Sequence, residues 1–227
     1  MFIIGHRGAR GVEPENTLLA VRTGMACADY IEVDVRLTRD RIPVIMHDLL
    51  LDRTTNGTGP VNEYTLENLK AFDAGKGEKI PTLEGVCSIV KGHCGLVVEI
   101  KEPGSESEIC SVLRGNPPEN LFIVSFHPES ILSVKDLLSG VKTGIIYSRA
   151  VGDLPGDAKE LGADAILLKF ALLTGELVRA CRKKSLLIIS WTLDTPEEFR
   201  IAHDLGIDGL ATDDPCRARH YFMSRLK

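Results

Sequence analysis

The chain has 227 residues, of which 44% are hydrophobic and 5% aromatic. A chain of this length buries roughly 70–75% of its unfolded surface and needs neither disulfides nor metal to hold an aliphatic core together. The 32 acidic residues outnumber the 27 basic ones, for a net charge of −5. This balance argues against a nucleic-acid partner, which requires a dominant basic face, but it is compatible with a small phosphate-bearing ligand.

Short, nearly continuous apolar runs alternate along the chain with segments of helical period. Such runs are typical of strands in a parallel sheet that is covered on both faces. Eight of them match the eight strands of a TIM (β/α)₈ barrel, for which about 200 residues is the lower size limit. We therefore predict a single α/β domain over residues 1–227. The eight runs lie at residues 2–5, 30–37, 95–100, 121–126, 143–147, 165–168, 186–192 and 209–212.

A ninth run, at residues 42–46, follows the second run after only four intervening residues. A parallel crossover needs about a dozen residues or more, so these two runs predict an antiparallel β-hairpin after strand 2. Folding the hairpin about its turn places His47 roughly opposite Glu32. The segment at about 49–81 lacks barrel periodicity and contains the turn-rich residues 54–60, which predicts a small insertion that caps one side of the barrel mouth before strand 3.

Carboxylates gather at predicted strand ends, where TIM barrels build their active sites. Glu32 and Asp34 are two residues apart and therefore point to the same face of their strand, and Glu99 lies near the end of the next barrel strand. Burying these anions unpaired would cost on the order of several kcal/mol each. We therefore predict one divalent metal ion, Mg²⁺ or Ca²⁺ with Mn²⁺ as a third candidate, held by all three residues. The alternative is an ion-pair network with Arg7, Arg36 and Lys101.

Two histidines, His6 and His47, also follow strand ends. The unperturbed pKa of histidine lies near neutrality, so we predict that one takes a proton from an attacking hydroxyl and the other protonates a leaving alkoxide. The alternative is a pair of ordinary surface histidines.

Four further side chains complete the candidate site. Arg7 and Lys101 are predicted to contact the non-bridging oxygens of a phosphate. Phe126 and Trp191 are candidates for an apolar wall beside the carbon chain of a substrate. For these two aromatic residues, packing in the core is the alternative.

These residues stand in motifs that resemble, in order and context, those of the glycerophosphodiester phosphodiesterase family. The opening His6-Arg7-Gly8, followed by Pro14-Glu15-Asn16-Thr17, is similar to the family's His-Arg-Gly and Pro-Glu-Asn-Thr elements. The resemblance covers almost the whole chain, and eight motifs in order are far more specific than any one alone. The other motifs are Glu32-Val33-Asp34, His47-Asp48, residues 51–59, Glu99-Ile100-Lys101, Ser125-Phe126, Trp191-Thr192 and Thr212-Asp213.

The resemblance implies a TIM barrel with a small insertion after His47. It implies the same roles as the reading of the residues: metal ligands at Glu32, Asp34 and Glu99, an acid–base pair at His6 and His47, and phosphate contacts at Arg7 and Lys101. One departure is Asp194, where the family often has asparagine. We expect the extra negative charge near the mouth to alter the preference for the alcohol headgroup.

The predicted function is metal-dependent hydrolysis of glycerophosphodiesters to sn-glycerol-3-phosphate and an alcohol. The resemblance implies attack by the glycerol 2-hydroxyl and a cyclic phosphate that water then opens. Alternatives are a lysophospholipase D-like phosphodiesterase and a non-catalytic phosphate-binding barrel. Lipid docking is disfavoured because the sequence indicates neither an amphipathic membrane helix nor an exposed apolar loop. A generic sugar-phosphate barrel is disfavoured because residues 192–195 and 212–214 are acidic where such barrels carry a Gly-rich phosphate loop.

Cysteine usage and the chain's start bear on where the protein works. The six cysteines include no Cys-x-x-Cys pair, and we expect them to be reduced. The sequence begins without a basic segment followed by a long apolar stretch, so no signal peptide is predicted. No run approaches the roughly 18 apolar residues of a membrane span. We therefore predict a cytoplasmic protein without a membrane anchor, acting on a small-molecule substrate.

Overall fold

Eight parallel strands close into a barrel in the computed structural model, which describes residues 1–224. Around the barrel the strands follow the order β1-β9-β8-β7-β6-β5-β4-β2, and pairing of β1 with β2 closes it. The predicted TIM barrel is therefore confirmed, with strand ends within two residues of the predicted runs. The strands are β1 Phe2–Gly5, β2 Tyr30–Leu37, β3 Pro43–Ile45, β4 Gly95–Ile100, β5 Leu121–Ser125, β6 Lys142–Tyr147, β7 Ala165–Lys169, β8 Leu187–Trp191 and β9 Gly209–Thr212.

Helices cover the outside of the barrel. Several begin at a threonine whose hydroxyl accepts a backbone N–H of the first turn, as Thr17 does from Ala20 and Thr195 from Glu198, which satisfies a donor left open at a helix start. Among the described residues, no helix is both long enough and apolar enough to cross a bilayer. The helices are α1 Leu18–Met25, α2 Leu66–Leu69, α3 Leu83–Val90, α4 Glu106–Gly115, α5 Pro128–Leu137, α6 Leu154–Glu160, α7 Gly175–Lys183, α8 Pro196–Leu205 and α9 Pro215–Ser224.

The alternation of side chains along β2 separates the core from the site. Ile31, Val33 and Val35 are fully buried in the layer between the barrel and its helices. Glu32 and Asp34 therefore point into the barrel, as the period of two requires. Deeper in the barrel the interior is filled by aliphatic and aromatic side chains, among them Ile4, Val97, Phe122, Val124, Ile146, Ala165, Leu167, Ile189 and Ala211.

The predicted hairpin forms between β2 and β3. Val35 pairs with Ile45 and Leu37 with Pro43 in antiparallel register. The Met46 N–H donates to the carbonyl of Asp34 at 2.9 Å. Continuing this register, His47 falls opposite Val33, one residue from the predicted position opposite Glu32. The hairpin thus carries His47 back to the carboxylate-bearing end of β2.

The segment between β3 and α3 packs around a small apolar cluster of its own. Leu51, Val61 and Leu69 are fully buried there, and they contact Val44 and Met46 of the hairpin. Its short helix α2 begins with a reciprocal capping box between Thr65 and Asn68. The segment is therefore anchored on the hairpin that positions His47.

A disulfide joins Cys27, just after α1, to Cys216 in the first turn of α9. The expectation that all six cysteines are reduced is wrong for this pair, while Cys87, Cys94, Cys110 and Cys181 are free. The two bridged residues are 189 positions apart, and their Cα atoms lie 4.9 Å from one another because β1 and β9 are neighbours in the closed barrel. No local spacing in the sequence indicates such a pair.

We expect reduction of this bridge to lower thermal stability, because an uncrosslinked unfolded chain has more conformational entropy. The loss is about 2–4 kcal/mol, which corresponds to a melting temperature lower by about 5–15 °C for a chain of this size. Melting curves with and without dithiothreitol measure it. The C27S/C216S variant should be insensitive to the reductant, whereas C94S, which removes a free thiol, should keep the full reductant effect. A wild-type melting temperature unaffected by reductant would contradict the prediction.

Candidate active site

The candidate residues converge on a cavity of about 100 Å³ at the carboxyl ends of the barrel strands. Strands β1, β2 and β4 and the hairpin end at β3 supply its polar side chains. Its closed end is apolar, formed by Ile4, Val97, Val124 and Leu167 of the barrel interior. The predicted site residues that line it are His6, Arg7, Glu32, His47, Glu99, Lys101, Phe126 and Trp191.

Glu32, Asp34 and Glu99 form one acidic cluster. Each offers a carboxylate oxygen, and these oxygens all lie within 4.8 Å of one another. Oε2 of Glu32 accepts the Arg7 backbone N–H at 2.7 Å, but Oε1 is buried and has no hydrogen-bond partner among the described residues. A buried, unpartnered carboxylate oxygen is costly unless a cation completes it. The donor set, carboxylate oxygens alone, suits a hard divalent ion such as Mg²⁺ or Ca²⁺.

Two cations already contact this cluster. Arg7 Nε lies 3.2 Å from Asp34 Oδ2, and Lys101 Nζ lies 2.5 Å from Glu99 Oε1 and 3.3 Å from Asp34 Oδ1. The alternative ion-pair network is thus partly present, but its third predicted member is not. Arg36 instead donates to Glu102 and to the carbonyl of His47. Three carboxylates facing two cations leave one negative charge in excess.

The excess negative charge shifts the pKa values of the three carboxyl groups in different directions. Burial raises the pKa of Asp34, but the charges of Lys101 and Arg7 outweigh it and hold this pKa at about 2. Burial, with the charge of Asp34, raises the pKa of Glu99 to about 7. Burial and the charges of Asp34 and Glu99 raise the pKa of Glu32 well above its usual range. Asp34 is therefore the fixed anion, and the other two carboxylates are stabilised in their charged forms only by further positive charge.

Both histidines reach the cavity and both contact an aspartate through Nδ1. His6 Nδ1 lies 2.7 Å from Asp213 Oδ1, and His47 Nδ1 lies 2.6 Å from Asp48 Oδ1. An ionised carboxylate only accepts hydrogen bonds, so Nδ1 carries the proton in each ring and Nε2 is left as the acceptor. Burial, together with the charges of Lys101 and Arg7, lowers the pKa of His47 despite the opposing effects of Asp34 and Asp48.

An ion-pair chain connects His47 to Arg7 across the mouth. Arg53, from the segment after β3, donates to both oxygens of Asp48 at 2.6 and 3.0 Å and to both oxygens of Glu15 at 2.8 and 2.9 Å. Glu15 in turn accepts from Arg7 Nη1 at 2.7 Å. Burial raises the pKa of Glu15, but Arg53 and Arg7 outweigh it and lower this pKa to about 2. One arginine therefore fixes the partners of a candidate acid–base residue and a candidate phosphate-binding residue together.

Phe126 and Trp191 form one wall of the cavity. Their rings meet edge to face with centroids 6.0 Å apart, and Lys101 Nζ lies 5.9 Å from the centroid of Phe126. Phe126 is 38% exposed, so it is not a core residue. Trp191 lines the cavity and also packs against the apolar cluster inside the barrel, so for this residue the two interpretations are compatible.

Comparison with known proteins places the chain in a family. Residues 6–217 match the model of the glycerophosphoryl diester phosphodiesterase family. The chain belongs to this family. It is 36% identical over 94% of its length to a glycerophosphodiester phosphodiesterase of Caldanaerobacter subterraneus subsp. tengcongensis, of which the match covers 94%, and 30% identical over 95% of its length to one of Bacillus subtilis, of which it covers 84%. The resemblance read from the motifs is confirmed, and the reaction class is that of a phosphoric diester hydrolase.

Solved structures agree with this assignment. An Oleispira antarctica phosphodiesterase, solved in complex with the product sn-glycerol-3-phosphate, superposes on the present chain with a TM-score of 0.93 at 26% identity. The match covers 98% of the present chain and 97% of the Oleispira antarctica chain. A glycerophosphodiester phosphodiesterase from Agrobacterium tumefaciens gives a TM-score of 0.87 at 27% identity, with 97% and 99% covered.

Sequence reasoning left several polar residues of the site without a role. Asp48, Asp213 and Glu15 lie inside motifs that carry the family resemblance, and that membership is the only sequence signal they give. Arg10 and Arg53, which donate to Asp213 and Asp48, had no signal as positioning groups. Arg10 and Asp213 are 203 positions apart and meet only in the closed barrel, whereas Arg53 lies five residues after Asp48 and 38 after Glu15, and the folded segment after β3 brings it to both.

The raised pKa of Glu99 predicts how the metal-free protein responds to pH. The folded state holds its proton up to pH about 7, whereas the unfolded chain releases it near pH 4.5, so this group's contribution to stability is complete below pH 4.5 and is lost as the pH rises through 7. E99Q cannot ionise, so the free energy of unfolding of E99Q minus that of the wild type should increase from pH 5 to pH 8. The expected increase is about 2–3 kcal/mol, at about 1.4 kcal/mol per unit of pKa shift. Denaturant unfolding in a chelator measures the difference. An equal difference at both pH values would contradict it.

Proposed function

We propose that this protein hydrolyses sn-glycerol-3-phosphodiesters to sn-glycerol-3-phosphate and a free alcohol, with one divalent metal ion and with His6 and His47 as the general acid–base pair. Family membership supports the reaction, and the product complex of the Oleispira antarctica relative supports the product. The single observation that carries the metal dependence is the acidic cluster. Within residues 1–224 its three carboxylates face two cations, and Glu32 Oε1 is buried without a hydrogen-bond partner.

Glu32, Asp34 and Glu99 are the residues that would hold the ion. Mg²⁺, Ca²⁺ or Mn²⁺ bound there would polarise the phosphoryl group and lower the pKa of a nearby hydroxyl. The excess negative charge of the cluster then becomes useful, because it supplies the affinity for the ion. Asn16 Nδ2 donates to Asp34 Oδ2 at 2.8 Å and thereby fixes the carboxylate that both cations share.

The chain's own residues orient the diester and move its protons. Arg7 and Lys101 contact the non-bridging phosphate oxygens, and the aromatic pair Phe126 and Trp191 lies against the carbon chain. One histidine Nε2 takes the proton of the glycerol 2-hydroxyl as it attacks phosphorus, and the other histidine protonates the departing alkoxide, which leaves a cyclic phosphate and an alcohol. Water opens the cyclic phosphate in a second step with the histidine roles reversed.

Lysophospholipid cleavage is a second candidate because two exposed leucines follow the His47-Asp48 motif. Leu49 and Leu50, directly after His47-Asp48, are 46% and 45% exposed. The sequence indicated no exposed apolar loop for lipid docking, and this exposed pair is the one observation that favours a lipid substrate. These leucines, two and three residues after His47, offer apolar surface on which an acyl chain can lie outside the small cavity. Glycerophosphodiesters without an acyl chain remain the first choice, because the matching family and the curated relatives are named for this substrate class.

The reaction and its metal dependence are tested together by following release of sn-glycerol-3-phosphate from glycerophosphocholine and glycerophosphoethanolamine. We expect no turnover in EDTA and restored turnover with added Mg²⁺, Ca²⁺ or Mn²⁺. A lysophosphatidylcholine arm run in parallel, followed by release of choline because its phosphate product keeps the acyl chain, decides between the two candidates. L49S/L50S should reduce lysolipid turnover alone if these leucines bind the acyl chain. A folded protein that turns over none of these substrates with any metal would contradict the proposal.

Variants separate the metal ligands from the acid–base pair. E32Q and D34N should lose metal binding and turnover while keeping their fold, because each removes a charged ligand. H6A and H47A should keep metal binding but lose about 10²–10⁴ in kcat, the usual contribution of a general acid or base. Calorimetric titration with Mn²⁺ and steady-state assays measure the two properties, and H203A, on the exposed face of α8, should change neither. A near-native rate in H47A would exclude the assigned role of His47.

A further inference from the structure

The partner of His6 comes from the opposite end of the chain. Asp213, directly after β9, accepts from His6 Nδ1 at 2.7 Å across 207 residues. By contrast, Asp48, the partner of His47, is the next residue in sequence. The first contact exists only because β1 and β9 pair in register, with Gly5 opposite Thr212. Its geometry therefore depends on how the two strand ends are joined.

Three further hydrogen bonds hold Asp213 against the loop that carries His6. The His6 N–H donates to the carbonyl of Thr212 at 2.9 Å, and the Gly11 N–H donates to the carbonyl of Asp213 at 2.8 Å. Arg10 Nε donates to Asp213 Oδ2 at 2.9 Å, so each oxygen of the carboxylate has its own donor. Burial raises the pKa of Asp213, but His6 and Arg10 outweigh it and lower this pKa, so the group stays ionised.

Asp194 holds the backbone of Asp213 through hydrogen bonds at the end of β9. Its Oδ1 accepts both the Thr212 hydroxyl at 2.9 Å and the Asp213 N–H at 2.8 Å. Oδ1 of Asp194 is thus engaged at the end of β9, and an effect of its charge on headgroup preference stays a prediction. An asparagine Oδ1 offers the same acceptor, so the departure from the family's usual residue preserves this contact.

We propose that Asp213 is the positioning residue of His6 and that Asp194 in turn holds Asp213 in place. The ionised Asp213 keeps the His6 ring in the tautomer that carries the proton on Nδ1, so that Nε2 faces the cavity as the acceptor or donor of the reacting proton. This rests on the acid–base role proposed for His6. An ordinary exposed ion pair would instead contribute little to stability and nothing to the tautomer.

The first test removes the charge of Asp213. In D213N and D213A we expect kcat to fall by about 10²-fold or more, with KM changed by less than about threefold, because orientation of the base is lost while substrate contacts remain. The ¹⁵N chemical shifts of His6 in the metal-free full-length protein report the tautomer without any assay. They should show Nδ1–H in the wild type and a mixture of tautomers in both variants.

The nitrogen shifts also keep this proposal distinct from the proposed function. If the wild type hydrolyses no diester, the function is wrong, but the tautomer of His6 in D213N still decides whether Asp213 sets it. An unchanged tautomer in both Asp213 variants, or a kcat within about threefold of wild type, would overturn the positioning role. D214N is the matched control: it removes the neighbouring charge, while its asparagine still caps α9 at the Arg217 N–H, so tautomer and kcat should stay as in wild type.

The second test separates the acceptor of Asp194 from its charge. D194A removes the oxygen that receives two donors, and we expect about tenfold lower kcat and a mixed His6 tautomer. D194N keeps an acceptor oxygen and should restore both properties to near wild-type values. Equal defects in D194N and D194A would show that charge matters rather than the acceptor and would overturn the role of Asp194. If D194A fails to fold, the comparison of D194N with wild type still decides, because a defect in D194N contradicts the proposal.

Discussion

The excess of negative charge at one end of the barrel is the constraint on which the rest of the site depends. Carboxylate oxygens of the buried Glu32 and Asp34 and of the partly buried Glu99 lie within 4.8 Å of one another, and the charges of Arg7 and Lys101 do not balance them. Such a cluster is tolerated only where the surrounding backbone already fixes every partner. The loop after β1 supplies Arg7 and the end of β4 supplies Lys101, and each of these partners follows directly on a barrel strand.

The segment after β3 shows how an insertion becomes part of a catalytic site. Its apolar cluster packs on Val44 and Met46 of the hairpin, and this packing fixes the position of the segment that carries Arg53. From there Arg53 reaches Asp48 and Glu15 simultaneously. An exposed ion pair contributes little by itself, but an arginine that donates to two carboxylates gains from geometry that is already set. The segment thus constrains His47 and Arg7 without contributing a side chain to the cavity.

Features set by residues close together in sequence were predictable, and contacts between residues far apart in sequence were not. The strands were predictable because burial on both faces demands continuous apolar runs, and the hairpin because a four-residue gap forbids a parallel crossover. Glu32 and Asp34 share a face by strand periodicity alone. The Cys27–Cys216 disulfide and the contact of Asp213 with His6 join residues 189 and 207 positions apart, and no local pattern encodes them. The hydrogen bonds of Asp194 to Thr212 and Asp213 were not predictable for the same reason, because they depend on the neighbouring strand.

Stability and chemistry make opposite demands on the carboxyl ends of these strands. Ionising Glu99 opposes folding of the metal-free protein, since burial and Asp34 both disfavour its charge. The apolar layers between barrel and helices, and the disulfide that ties α1 to α9, lie away from the cluster and stabilise the fold without touching the site. A barrel suits this division because each strand contributes alternate residues to each demand: Val33 packs outward while Glu32 and Asp34 point inward. Glu32 and Asp34 of β2 are charged residues at buried positions, which a stable core would not favour. Such positions are where a functional site is expected, and the acidic cluster lies there.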